Sequence, residues 1–199
     1  MVQTGILGHL GGDVTAANTI AVQAYQVLSV VAYGASSASG IVVGKTIGAG
    51  DRAVLKRLVH TLEVLFSAIG LLTGLTIFLL RRPLLTVFGG TLTENACRLS
   101  MQFMAVIAVT TVGTSYQVAC DNGIIRGGGD TAFSAKMNLI SMWLIIVPLS
   151  ALAAFRWELA PVVVFFLLKW DQLYKIIPVA IRLHSWKWVK VVTRNDNEV

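Results

Sequence analysis

The sequence predicts an all-α fold, a polytopic bundle of membrane-spanning helices. Three observations predict it. The 199 residues are 55% hydrophobic and only 13% charged, against about 25% charged in an ordinary soluble domain. The mean hydropathy is +0.73. The apolar residues fall in long runs broken by short Gly-, Pro- and Arg-rich stretches. Since a helical span takes ~20 apolar residues, this length holds roughly five or six spans with their loops. A disordered chain, a disulfide-rich secreted module and most soluble domains are excluded on the same grounds.

Residues 1–17 are apolar but too short and Gly-rich to cross alone. Without a basic n-region or a long apolar h-region, they read as a helix stub rather than a signal peptide. The first full span covers residues 18–47. It is dense in small residues, and its GIVVG run sets Gly40 and Gly44 at the spacing that lets helices approach closely in lipid. After the polar loop GAGDRAVLKR, the second span covers 58–80, with Arg81, Arg82 and Pro83 as its stop signal. The third covers 96–125. RGGGDT makes the next turn, with Asp130 or Thr131 as the N-cap of a fourth span, 132–155. Pro148 is expected to kink that span, because it removes a backbone hydrogen bond. The fifth covers 160–181, with Pro161 in its first turn. Residues 1–183 therefore form one transmembrane unit and 184–199 a basic tail. Trp186 and Trp188 with Lys187 and Lys190 resemble an interfacial anchor.

The net charge is +6 and the pI about 9.6. Because the basic residues sit between apolar runs and in the tail, they read as topology determinants; the expected surroundings are a lipid bilayer, with no nucleic-acid partner. Five spans put Lys45, Arg52, Lys56, Arg57, Arg126, Lys136, Arg182, Lys187, Lys190 and Arg194 on one side and Arg81, Arg82, Arg98 and Arg156 on the other. The first side is expected in the cytoplasm, with the C-terminus, and residues 1–17 outside.

Catalytic and cofactor chemistry finds no foothold. Cys97 and Cys120 lie 23 positions apart, ~35 Å on one helix and far beyond disulfide reach. No CxxC or Cys/His cluster suggests zinc. GASSASG with His60 hints at a serine nucleophile, but small-residue packing explains the run. RGGGD and GAGD lack the GxxxxGK[ST] of a phosphate loop. No enzyme activity, metal or cofactor is expected.

Polar residues inside spans are expensive and line cavities or pathways. Thr110, Thr114, Gln117 and Asp121 follow i, i+4, i+7, i+11 spacing, one face of the third helix, with Ser115 and Asn122 beside them. This stripe is expected to face protein or water, either as a solute pathway or with Asp121 paired to Arg126 or Lys136. On the first span Gln23, Gln26 and Tyr33 share a face near Tyr25, lining a cavity or bonding a neighbouring helix. The candidate pathway set is Gln23, Gln26, Tyr33, Thr114, Ser115, Gln117 and Asp121. Glu63 and His60 are expected at the interface. In the fifth span Asp171 and Lys175 can pair at i, i+4, near Lys169.

The ordered set VVGKTIGAGDRAVLKR, IIRGGGDTAFSAK, SMWLIIVPLSALA with Trp143 and Pro148, and LLKWDQLYKIIPVAIRLHSWKWVK covers roughly residues 5–194. It resembles the carboxyl half of the MATE family, the multidrug and toxic compound extrusion antiporters. The resemblance implies one lobe of a twelve-helix fold built from two six-helix lobes. It implies exchange of Na⁺ or H⁺ for organic cations by alternating access, and a cytoplasmic C-terminus. The five spans would be helices eight to twelve, and residues 1–12 the outer end of helix seven. Some Na⁺-coupled members carry an acidic residue eleven positions before the arginine of the RG motif; here that position is Ser115. The implied partner is an amino lobe or a second chain, because alternating access needs two lobes around a central site, and the chain is read as the carboxyl-terminal fragment of a transporter. The rivals are a lipid-linked saccharide flippase of the same superfamily and a non-transporting membrane interaction subunit.

Overall fold

The structure, a computed structural model, describes residues 7–9, 11–88, 92–156 and 159–190. It is all-helical among these residues. The long helices are α1 (Gly12–Gly48), α2 (Arg52–Phe88) and α3 (Glu94–Ala119), the last running directly into a π-helical stretch, Cys120–Ile125. Next comes a rod made of α4 (Thr131–Ile140), the π stretch Ser141–Ile146, α5 (Val147–Ala151) and the π stretch Leu152–Arg156. The chain ends in three short helices, α6 (Pro161–Lys169), α7 (Asp171–Tyr174) and α8 (Ile176–His184). Among the described residues, four helices are long and apolar enough to cross a membrane: Gly12–Gly48, Arg52–Thr86, Glu94–Ile125 and Thr131–Ala154.

These four match the first four expected spans, with differences that have local causes. Residues 13–17 belong to α1 rather than to a separate stub; most of the expected helix-seven stub lies outside the described residues. Pro83 does not stop α2, which runs on to Phe88. The proline removes the bond to Leu79 O and crowds that carbonyl, yet the helix continues for five residues beyond it. The arginines mark the end of the apolar run instead, with the Arg81 guanidinium 4.1 Å from the Phe78 ring centroid. Next to Pro148 the helix carries the π stretch Ser141–Ile146, a common accommodation of a missing backbone bond.

The fifth expected span is not one regular helix. Helical hydrogen bonding tightens at Trp170, whose amide bonds Leu167 O at 3.3 Å, and the chain turns again at Lys175, whose amide bonds Asp171 O at 3.1 Å. Pro178 lacks the N–H that would bond Tyr174, the last residue of α7. Asp171 and Lys175 sit at these breaks and pair with each other at 2.9 Å, as their spacing suggests.

α3 is the centre of the bundle. Its apolar window is 61% buried, against 28% for α1 and 33% for α2. Close approach depends on small residues. A Cβ on Gly74 would stand 2.6 Å from Ala108 O, so α2 and α3 touch backbone to backbone there. A Cβ on Gly40 or Gly44 would stand 3.2 Å from Gly123 O or 3.5 Å from Gly127 O, the close approach that the GIVVG run predicts. Large apolar residues such as Val27, Val30, Leu71, Leu72, Val109 and Leu144 remain exposed, the surface a lipid solvent requires. One apolar core gathers around Phe103 and Phe165, stacked at 4.1 Å. A second gathers around Phe66 and Trp188.

Trp188 shows that the tail docks on the bundle. It is fully buried and its indole N–H donates to Leu183 O at 2.8 Å. The backbone N–H of Lys190 bonds Gly128 O at 2.9 Å. This side chain therefore packs inside protein rather than serving as an interfacial anchor. Asp130 stands at the N-cap position of α4, as expected, yet makes no side-chain cap bond. Its carboxylate instead accepts from Arg182 Nε at 2.8 Å and Lys190 Nζ at 2.7 Å. Burial alone would raise this carboxyl; the hydrogen bonds and charges of Lys190 and Arg182 outweigh it and hold it below the usual carboxylate range. A depressed folded value contributes stability that is fully present above the unfolded value, ~3.9, and is lost as pH falls through the folded one. Proteolysis within 182–190 is thus expected to accelerate only at acid pH. Asp130→Asn should give fast cleavage at neutral pH as well; a neutral-pH rate unchanged from wild type would refute the clamp.

Candidate functional site

Between the two cores lies a polar layer. A pocket of about 190 Å³ opens there, lined by Tyr25, Tyr33, Ile107, Thr110, Thr111, Thr114, Val118, Lys169 and Gln172. α1 supplies the tyrosine rings and α3 the threonines. α6 and α7 supply Lys169 and Gln172. The threonine hydroxyls bond back to their own helix: Thr114 donates to Thr110 O at 2.9 Å and Thr111 to Ile107 O at 2.7 Å. Gln172 keeps a buried side-chain oxygen with no partner among the described residues. The Lys169 ammonium makes no ion pair among those residues; it lies 5.9 Å from the Phe165 ring centroid and within the longer-range field of the Asp171 carboxylate. The pocket is smaller than the ~300–1,000 Å³ of a drug-sized site, so this chain encloses such a solute only in part.

A buried polar network lies alongside. Asp121, 2% exposed, accepts a hydrogen bond from Ser134 and a longer one, 3.4 Å, from Asn138 Nδ2. Asn138 Oδ1 accepts from Lys175 Nζ at 3.1 Å, and Lys175 pairs with Asp171. Gln172 Nε2 donates to Asp171 at 3.1 Å, which joins the network to the pocket wall. Asp121 therefore binds α4 and not Arg126 or Lys136, because the π stretch from Cys120 sets its carboxylate against Ser134 and Asn138.

The candidate residues divide among several places. Thr110, Thr114, Gln117 and Asp121 are all buried, as one face of α3 requires. Only Tyr33 and Thr114 of the pathway set line the pocket. Ser115 sits at the α2 contact, where a Cβ on Gly70 would come within 2.9 Å of it. Gln23 and Gln26 are exposed and absent from the lining. The buried stripe of α1 runs through Ala17, Ala21, Ala24, Ala32, Ser36 and Val43, and both glutamines fall off it. Glu63 is mostly buried, accepting from Tyr116 OH at 2.8 Å with His184 Nε2 3.9 Å away. The set omitted Lys169, Gln172, Ser134 and Asn138. The last two had a signal: Ser134, Asn138 and Ser141 repeat at i, i+4, i+7.

A model of the MatE family matches residues 1–152. An uncharacterised transporter of Schizosaccharomyces pombe is 25% identical over 126 residues, covering 63% of this chain and 23% of its own length. The chain thus spans about a quarter of that relative. The family match covers most of the chain, and four helices of the bundle can cross a bilayer: this multi-pass membrane protein belongs to the MatE family of transporters.

Proposed function

We propose that the chain supplies one lobe of a cation-coupled antiporter that exports organic cations by alternating access, with an amino-side lobe or second chain completing the central site. The observation that carries this reading is the pocket in which Tyr25 and Tyr33 accompany the unpaired ammonium of Lys169. Aromatic faces attract an organic cation by about 0.5–2 kcal/mol. Two unit charges 4 Å apart repel by about 4 kcal/mol at an effective dielectric of 20. A protonated Lys169 and a cationic solute thus exclude each other from so small a space. Entry of the solute displaces the lysine proton, and reprotonation expels the solute. Such competition couples the two fluxes with H⁺ as the coupling ion; the position at which some Na⁺-coupled members carry an acidic residue is Ser115 here. The clustering of Lys and Arg at the tail end supports a cytoplasmic orientation for that end in a bacterial plasma membrane.

The same ammonium favours one second reading, an acidic solute such as a lipid-linked saccharide. Lys169→Met in the complete transporter, reconstituted in vesicles, separates the two. For organic-cation exchange, solute binding survives and its dependence on pH disappears. For an acidic solute, binding itself falls by an order of magnitude or more. Binding that keeps its wild-type pH dependence would remove Lys169 from the mechanism. Absence of any solute flux in the wild type would favour a non-transporting subunit.

A further inference from the structure

A groove of about 540 Å³ runs between the first turn of α2 and the docked tail, lined by Arg52, Ala53, Leu55, Lys56, Trp186 and Val189. We propose that it seats the headgroup of an anionic phospholipid. Arg52 and Lys56 are one helical turn apart, both exposed, and neither joins an ion pair among the described residues. Lys56 Nζ lies 5.9 Å from the centroid of the Trp186 ring. The adjacent acid, Asp51, does not offset them inside the groove. Its Oδ1 accepts from the Ala53 and Val54 amides, 3.0 Å each, capping α2.

The remaining walls are apolar. Leu55 is 4% exposed, and Val189 and Trp186 pack partly against the same core. Trp186 holds φ at 55°, a left-handed backbone that bulky residues rarely adopt. The docked Trp188, whose ring centroid is 5.9 Å away, and the Lys190–Gly128 bond hold the segment on either side of the groove. The groove lies at the start of α2, at Arg52, six residues before the apolar run expected from residue 58, so a bilayer spanned by that run would bring its phosphate groups near the groove. Two cations beside an apolar wall and an indole match a phosphate diester that continues into acyl chain. A free phosphate would use the cations and leave the Leu55–Val189 wall idle, so the lipid is the better occupant.

The test uses the full chain in phosphatidylcholine vesicles doped with lipid carrying brominated acyl chains. The Trp186 signal is taken as the difference from Trp186→Phe. Brominated phosphatidylglycerol should quench it well beyond brominated phosphatidylcholine at equal mole fraction. Arg52→Gln and Lys56→Gln should each weaken that preference about five-fold. Arg57→Gln, an exposed charge on the same helix outside the groove, should leave it unchanged. Equal quenching by both lipids overturns the proposal, as does an Arg57→Gln effect equal to that of Arg52→Gln, which would mean a diffuse surface field. Competition by millimolar inorganic phosphate overturns it in favour of a free-anion site.

Discussion

Trp188→Ala is expected to cost about 3–5 kcal/mol and to release the tail from the 126–130 turn. The ring is fully buried among Val43, Phe66, Ile124, Ile125 and Leu183, and its indole N–H bonds Leu183 O. Alanine removes the ring and that bond together. The companion experiment isolates the contact. A Cβ on Gly128 would run into the Trp188 ring and come within 3.1 Å of its carbonyl oxygen. Gly128 does not hold a positive φ, whereas Gly129 does, at 93°. Gly128→Ala therefore destabilises by overpacking, about 1–3 kcal/mol, and Gly129→Ala by backbone strain. In a Trp188→Ala background the Gly128→Ala cost should vanish while the Gly129→Ala cost persists. Thermal unfolding in detergent measures all four, and additive Gly128 and Trp188 effects would refute the packing account.

The contrast between this turn and the spans explains what was legible in the sequence. Span positions follow from composition, since each apolar run must satisfy its backbone internally in lipid. The buried face of α3 was legible because Thr110, Thr114, Gln117 and Asp121 obey helical spacing on one continuous element. What Asp130 bonds was not: Arg182 and Lys190 reach it from 52 and 60 residues away, and no local rule names a partner at that range. Cap chemistry assigned its carboxylate to α4, and tail docking took it instead. The pocket was half legible for a similar reason. Spacing put Gln23, Gln26 and Tyr33 on one face, but α1 packs along its alanine and serine stripe, which leaves both glutamines outside. Lys169 and Gln172 enter the pocket because helical hydrogen bonding tightens at Trp170, a local break inside an apolar run that composition reads as one continuous span.

Lys175→Met is expected to cost about 3–5 kcal/mol, the penalty for stripping one member from a buried ion pair. The pair side chains are only 6% and 11% exposed. Without Lys175, the Asp171 carboxylate keeps a bond from Gln172 alone, and Asn138 Oδ1 loses its donor. Asp171→Leu should cost a similar amount, because the ammonium then has only Asn138 to bond. The double variant Lys175→Met/Asp171→Leu should be more stable than either single one, since no uncompensated charge is left inside. Chemical unfolding in micelles closes this cycle; a double variant as unstable as the sum of the singles would show that the two charges do not act as a unit. The same substitution six residues upstream has the opposite expectation. Lys169 has no ion pair among the described residues and faces the pocket, so Lys169→Met removes a buried charge that only the longer-range field of Asp171 offsets and should hold or raise stability. Two lysines of the same expected span thus separate by role: Lys175 fastens the α6–α8 segment to α4, while Lys169 lines the pocket outside any ion pair among the described residues.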